Sequence, residues 1–197
     1  WNEGLYETLI DATNLNQSFV RQAQIRLTGR LAPGLIGQVS LESPDTEYTS
    51  AAGVFTPDSS LTGGPSPAFD AAPDLLGRLT WRHDGLELGG RALARQLSIR
   101  TAGTAAAGVG DANAFGWGLA GHVRFPMRWV SDGFGLDELL GMAYAGEGIG
   151  RYFAGSTNGL GATSDVGLPG VASVSLDPVP AWGVTVGYRR FWTPTLR

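Results

Sequence analysis

The chain has 197 residues, a formal net charge of −4 and a mean hydropathy of −0.01. That length suits one large domain or a piece of a larger one, and the charge is too mild to imply a nucleic-acid partner. Cysteine is absent, which excludes a disulfide framework, a thiol nucleophile and a thiolate metal site. No run of about 18 apolar residues exists to make a transmembrane helix, but a membrane barrel hides its signal because lipid-facing and lumen-facing residues alternate.

In chain order the first expected strand covers 18–31 and the second 35–43, around the turn Ala32-Pro33-Gly34. Phe19, Ala23, Ile25, Leu27, Leu31, Leu35, Val39 and Leu41 alternate with Ser18, Gln22, Gln24, Arg26, Thr28, Arg30, Gln38, Ser40 and Glu42. Successive side chains of a strand point to opposite faces, so this is a ribbon with one greasy and one wet, arginine-bearing wall. Arg21 breaks the pattern on the greasy side, tolerable near a strand end.

Further strands are expected over 74–82, 86–99, 113–125, 137–148 and 180–192. Leu75, Leu79 and Trp81 oppose Arg78, Thr80 and Arg82. Leu86, Leu88, Ala92 and Ala94 oppose Glu87, Arg91 and Arg95, with Leu93, Leu97 and Ile99 joining the polar side. Phe115, Trp117, Leu119, Val123 and Phe125 oppose His122 and Arg124. Leu140, Met142 and Tyr144 oppose Leu139, Gly141, Ala143 and Glu147. Trp182, Val184, Val186 and Tyr188 oppose Thr185 and Arg189.

Connections alternate between short turns and long loops near 44–73, 100–112 and 149–179. That asymmetry is typical of outer-membrane barrels. Trp81, Phe125 and Trp192 fall beside short connections, and Phe19, Phe115 and Trp117 toward the opposite ends, as two interfacial aromatic bands require. The thirty glycines are about twice the usual share, and within strands glycine marks bends and close approaches. The expected fold is thus all-β, an antiparallel up-and-down transmembrane barrel. Residues 1–197 would form one partial barrel of about seven or eight strands. Loops of about 30 structureless residues tend to be functional: in a porin one such loop would fold inward and narrow the pore, and otherwise they are exposed linkers.

All 14 cationic side chains are arginine. Arg26, Arg30, Arg78, Arg82, Arg91, Arg95, Arg124 and Arg189 all fall on polar strand faces, whereas Asp45, Glu47, Asp58, Asp70, Asp111 and Asp165 lie mainly in loops. Rows of arginine inside a pore guide anions and offer bidentate donors to carboxylates. The bland alternative is that they pair with Glu42, Glu87 and Glu147 or sit on a solvated face. No enzyme signature appears. His83 and His122 are too far apart in sequence for a paired metal site, and Gly146-Glu-Gly-Ile-Gly150 lacks the strand-to-helix setting of a phosphate loop. No cofactor is expected.

Phe19-Val-Arg-Gln-Ala-Gln-Ile-Arg26, Glu42-Ser-Pro-Asp45, Gly148-Ile-Gly-Arg-Tyr152, Trp192-Thr-Pro-Thr-Leu-Arg197 and the preceding Tyr6-Glu-Thr-Leu9 resemble, in this order, the DcaP-like porins of Gram-negative outer membranes. The resemblance implies a trimeric barrel of about 16 strands in contact with membrane lipid and selective for dicarboxylate-like anions. Against that pattern the chain reads as a partial barrel. Two other readings stand beside it: a small eight-stranded structural or adhesive outer-membrane barrel, and a soluble ligand-binding barrel with its greasy face inside.

Overall fold

The computed structural model describes residues 23–50, 53–55, 60–61, 64–65, 68–100, 110–152, 161–166 and 174–193. Its main sheet contains seven long strands: β1 (Gln24–Ala32), β2 (Leu35–Glu42), β3 (Asp74–His83), β4 (Leu86–Arg100), β5 (Asp111–Pro126), β6 (Glu138–Glu147) and β7 (Pro180–Arg189). Each pairs antiparallel with its neighbours in chain order, and Ala68–Phe69 adds a short strand beside β4. The chain is therefore all-β and an up-and-down meander. Among the described residues β1 and β7 are its edges and no bond joins them. The expected boundaries hold to within about two residues where they are described, except that β7 stops at Arg189. Residues 18–22, with Phe19 and Arg21, lie outside the described residues.

Local chemistry accounts for the hairpins. Pro33-Gly34 closes β1–β2, with Gly34 at φ 76°, since proline pre-sets the first turn position and glycine accepts a positive φ at the second. A Cβ on Gly34 would lie 2.3 Å from the Arg82 carbonyl oxygen, so glycine is needed twice over. Asp84-Gly85 closes β3–β4 with both residues at positive φ, the two-residue turn whose twist matches the flanking strands.

Register places like with like. Leu27, Val39, Gly77, Ala92, Leu119, Ala145 and Trp182 form one continuous cross-strand row, and Thr28, Gln38, Arg78, Arg91, Ala120, Tyr144 and Gly183 form the next. Directly paired residues share a face, so alternation along each strand becomes two opposed surfaces. The apolar surface is the exposed one. Ile25 is 79% exposed and Trp182 78%, and Leu79, Phe115, Leu119, Val184 and Val186 are exposed as well. On the other surface Ser40, Glu42, Asp74, Thr80, Glu87, Arg91, Arg95 and His122 are all buried.

Two features depart from the sequence reading. The long loops are not structureless. Leu176–Pro178, Ala162–Ser164, Tyr48–Ser50 and Gly53–Phe55 pair into a second, four-stranded sheet, with its central pair parallel. Tyr48, Ala162, Val166, Val174 and Leu176 pack with Leu97 and Ile99 of β4. The second departure is the polarity of β6. Leu140, Met142 and Tyr144 sit on the polar face, where Met142 and Tyr144 join Leu76, Leu93, Ile149 and Tyr152 in a second apolar cluster. Loop segments covering the polar face near its long-loop end explain why Leu93, Leu97 and Ile99 interrupt the polar pattern of β4.

Candidate functional site

All eight arginines singled out in the sequence lie on the polar face, but they fall into three environments. Arg26 and Arg30 are exposed on the edge strand β1, opposite Ser40 and Ile36. Arg78, Arg82, Arg91, Arg124 and Arg189 occupy the half nearer the short turns. Arg95 lies at the other end, where it is enclosed completely.

Arg95 works as a clamp. Nη1 donates to the Gly148 carbonyl at 3.1 Å and Nη2 to the Asp45 carbonyl at 2.7 Å, while Nε sits 3.4 Å from Asp74 Oδ1. The Tyr152 hydroxyl donates to Asp74 Oδ2 at 2.6 Å, and its ring lies under the guanidinium. Both members of the ion pair have side chains 0% exposed. Arg151 adds a donor to the Ser43 carbonyl at 3.2 Å. Two loops, 43–45 and 148–152, are therefore tied to the starts of β3 and the end of β4. Glycine makes room: a Cβ on Gly116 would meet Arg95 Cγ at 2.8 Å, and Gly148 turns at φ 73° against Leu97 and Gly116. The expectation that Arg95 guides solutes is corrected here. The Arg95 side chain is fully enclosed, because loop segments cover it and its terminal nitrogens donate to their carbonyls. Loop segments 43–45 and 148–152 lie over the polar face of the sheet, and Asp74 and Tyr152 are the partners that sequence reading missed. Their signal was Arg95 lying between Leu93 and Leu97 on one strand face.

The opposite half is a cationic wall. Arg82 Nε donates to Glu87 Oε2 at 2.7 Å, Arg189 to Glu138 at 3.0 Å, and Arg78 Nε to Thr80 Oγ1 at 3.0 Å. His122 bridges Glu87 and Arg91. Arginines outnumber the carboxylates on this face, which among the described residues are Glu42, Asp74, Glu87 and Glu138. Part of the alternative reading also holds: Glu87 pairs with Arg82. Glu147 does not join them, since it is exposed on the apolar face between Trp117 and Pro180. A cavity of about 520 Å³ lined by Arg82, Glu87 and Arg124 opens at the short-turn end. Chemically this wall offers charge and bidentate donors, and no nucleophile–base pair. No group of three or more potential metal ligands occurs among the described residues.

The short-turn rim is held by two carboxylates outside the strands. Arg128 donates to the Asp84 carboxylate and carbonyl, each at 2.6 Å, and Trp129 Nε1 donates to Asp84 at 3.2 Å. Asp137 accepts from the Tyr188 hydroxyl and from the Phe191 N–H at 2.8 Å, with Arg190 at 3.4 Å. These donors, the Tyr188 hydroxyl first, hold its carboxyl below the ordinary carboxylate range. A depressed folded value means that the stabilisation is complete above the unfolded value and is lost as pH falls through the folded one. Asp137→Asn is therefore expected to lower stability at neutral pH, and acid unfolding curves of the two proteins should converge below the carboxylate range. A difference that persists undiminished in strong acid would refute this account.

Comparison of the chain with protein-family models, with curated proteins and with solved structures finds no match.

Proposed function

We propose that this chain forms part of the wall of a transmembrane β-barrel in a bacterial outer membrane, a porin of the DcaP-like type that passes small dicarboxylate-like anions by passive diffusion. The observation that carries the reading is the polarity of the sheet. Exposed Leu, Val, Phe and Trp form a continuous surface on one side, while most of the charged side chains of the strands are gathered on the other and Glu147 stands at the long-loop end of the apolar side. A contiguous apolar face of this kind needs a partner, and lipid is the partner that suits strands with no polar residue in the middle of that face. On β5 the apolar side runs from Phe115 to Phe125. Ten residues at about 3.4 Å each, inclined at about 40°, span roughly 25 Å, the height of a barrel's lipid-facing band. Trp81, Trp129, Tyr188 and Trp192 stand exposed toward the short-turn rim, and Phe115, Trp117 and Trp182 toward the other. Closure of the sheet and assembly as a homotrimer belong to the same proposal. The soluble barrel with a greasy interior needs the reverse polarity.

The test is reconstitution in a planar bilayer across a salt gradient. The expected result is a reversal potential of the sign for anion preference. Arg78→Gln and Arg91→Gln should each reduce that preference, and cation selectivity in the unsubstituted protein would sink the anion argument. A second reading, a small filled structural barrel, is favoured by the apolar cluster of Leu76, Leu93, Met142, Tyr144, Ile149 and Tyr152 on the inner side. It predicts a heat-modifiable band on gels with no conductance.

A further inference from the structure

His122 sits on β5 with its ring over Gly89 of β4, where an added Cβ would come within 2.0 Å of the imidazole. Only 1% of its side chain is exposed. Nε2 lies 3.1 Å from Glu87 Oε1, and Nδ1 lies 3.4 Å from an Nη of Arg91. A guanidinium can only donate. Nδ1 must therefore be the acceptor, which places the proton of the neutral ring on Nε2, donated to Glu87. Glu87 in turn accepts from Arg82 on its other oxygen.

Arg91 has a second neighbour of consequence. It is the direct cross-strand partner of Arg78, on the same face, and like charges placed opposite one another repel. The bond to His122 is one of the contacts that hold the Arg91 guanidinium to its own side of the wall. Charged groups come from every strand around the ring: Arg78 on β3 and Glu87 and Arg91 on β4 act on it, and Arg82 on β3 and Arg124 on β5 act on its partner Glu87. β6 presents Met142 directly opposite, and Tyr144 one pair further along.

We propose that His122 is a proton-controlled positioning residue for Arg91, and that a proton taken up at Nδ1 releases Arg91 toward the solute path and raises the anion preference of the wall. The proton comes from the bathing water. Nε2–H stays on Glu87 as an imidazolium–carboxylate pair, and the new Nδ1–H faces a guanidinium with nothing to accept it. The wall gains one positive charge and one displaced arginine. The inference rests on the reading of this face as an anion path, but its chemical core does not.

Two measurements separate these. The two histidines are His83 and His122, so His83→Gln leaves a single ring for ¹⁵N NMR of the protein folded in detergent. The expected spectrum at pH about 8 is that of the Nε2–H tautomer, converting to imidazolium on acidification. In bilayers, the anion-to-cation permeability ratio of the unsubstituted protein should rise about two- to three-fold between pH about 8 and about 5, the effect of one added charge within a screening length. His122→Gln, whose amide can still donate to Glu87, should abolish that rise; the carboxylates are common to both proteins and cancel in the comparison. An Nδ1–H tautomer, a ring that does not titrate, or an equal rise in His122→Gln would each overturn the switch. A pore with no anion preference but with the stated tautomer and titration counts against the anion path and leaves the His122–Arg91 coupling supported. The NMR arm needs no substitution at residue 122, so a variant that fails to fold does not remove the test.

Discussion

Replacing Arg95 by methionine is expected to cost about 3–5 kcal/mol of stability, the scale seen when one partner is removed from a buried ion pair. The loss has three parts. Asp74 would be left in an enclosed site without its ion-pair partner, the Tyr152 hydroxyl still donating to it. The carbonyls of Gly148 and Asp45 would lose their donors. The loops at 43–45 and 148–152 would lose the side chain that ties them together. Arg82→Met is the control. Its ion pair with Glu87 is at 2.7 Å, but Arg82 is 56% exposed, and exposed pairs contribute about 0–1 kcal/mol. Thermal unfolding in detergent, followed by circular dichroism or by the heat-modifiable gel shift, measures both. The double variant Asp74→Asn with Arg95→Met should cost less than the sum of its parts, because each single change strands the other partner. An Arg95 effect as small as that of Arg82 would mean that the clamp does not form.

Leu119→Arg is expected to destabilise the protein in a bilayer by about 2–4 kcal/mol, the cost of an arginine on the lipid face of a barrel near mid-depth. Leu119 is 56% exposed in the middle of β5, flanked across the sheet by Ala92 and Ala145. In water the same change would be a surface substitution worth within about 0.5 kcal/mol either way. The substitution thus separates two surroundings that look alike in exposure. Folding efficiency and urea unfolding in lipid vesicles provide the measurement. The same substitution at Phe125, near the short-turn rim, should cost much less, because the penalty falls toward the interface. A neutral Leu119→Arg in vesicles would remove lipid as the partner of the apolar face, and the porin reading with it.

The surroundings of Arg91 and Arg95 show that arginines alike in sequence are placed in different environments. Both sit on the polar side of one strand, four residues apart. Arg91 faces a histidine and a second arginine; Arg95 faces backbone carbonyls and an aspartate beneath two loops. Strand periodicity assigns a residue to a face and says nothing about what covers it.

The strands, their order and the sorting of residues between two faces were legible in the chain. Period-two alternation, Pro-Gly and Asp-Gly turns and the spacing of connections are local properties, and antiparallel neighbours follow from short turns. The face toward solvent was not decided by those signals, because a two-sided strand reads the same inside out. Nor was the second sheet: Tyr48–Ser50 pairs with Ala162–Ser164 across more than a hundred residues, and such short strands have no period to detect. The placing of Met142 and Tyr144 on the polar face depends on Ile149 and Tyr152 packing against them. The tautomer of His122 and the burial of Arg95 likewise depend on partners that only the folded chain brings within hydrogen-bonding distance.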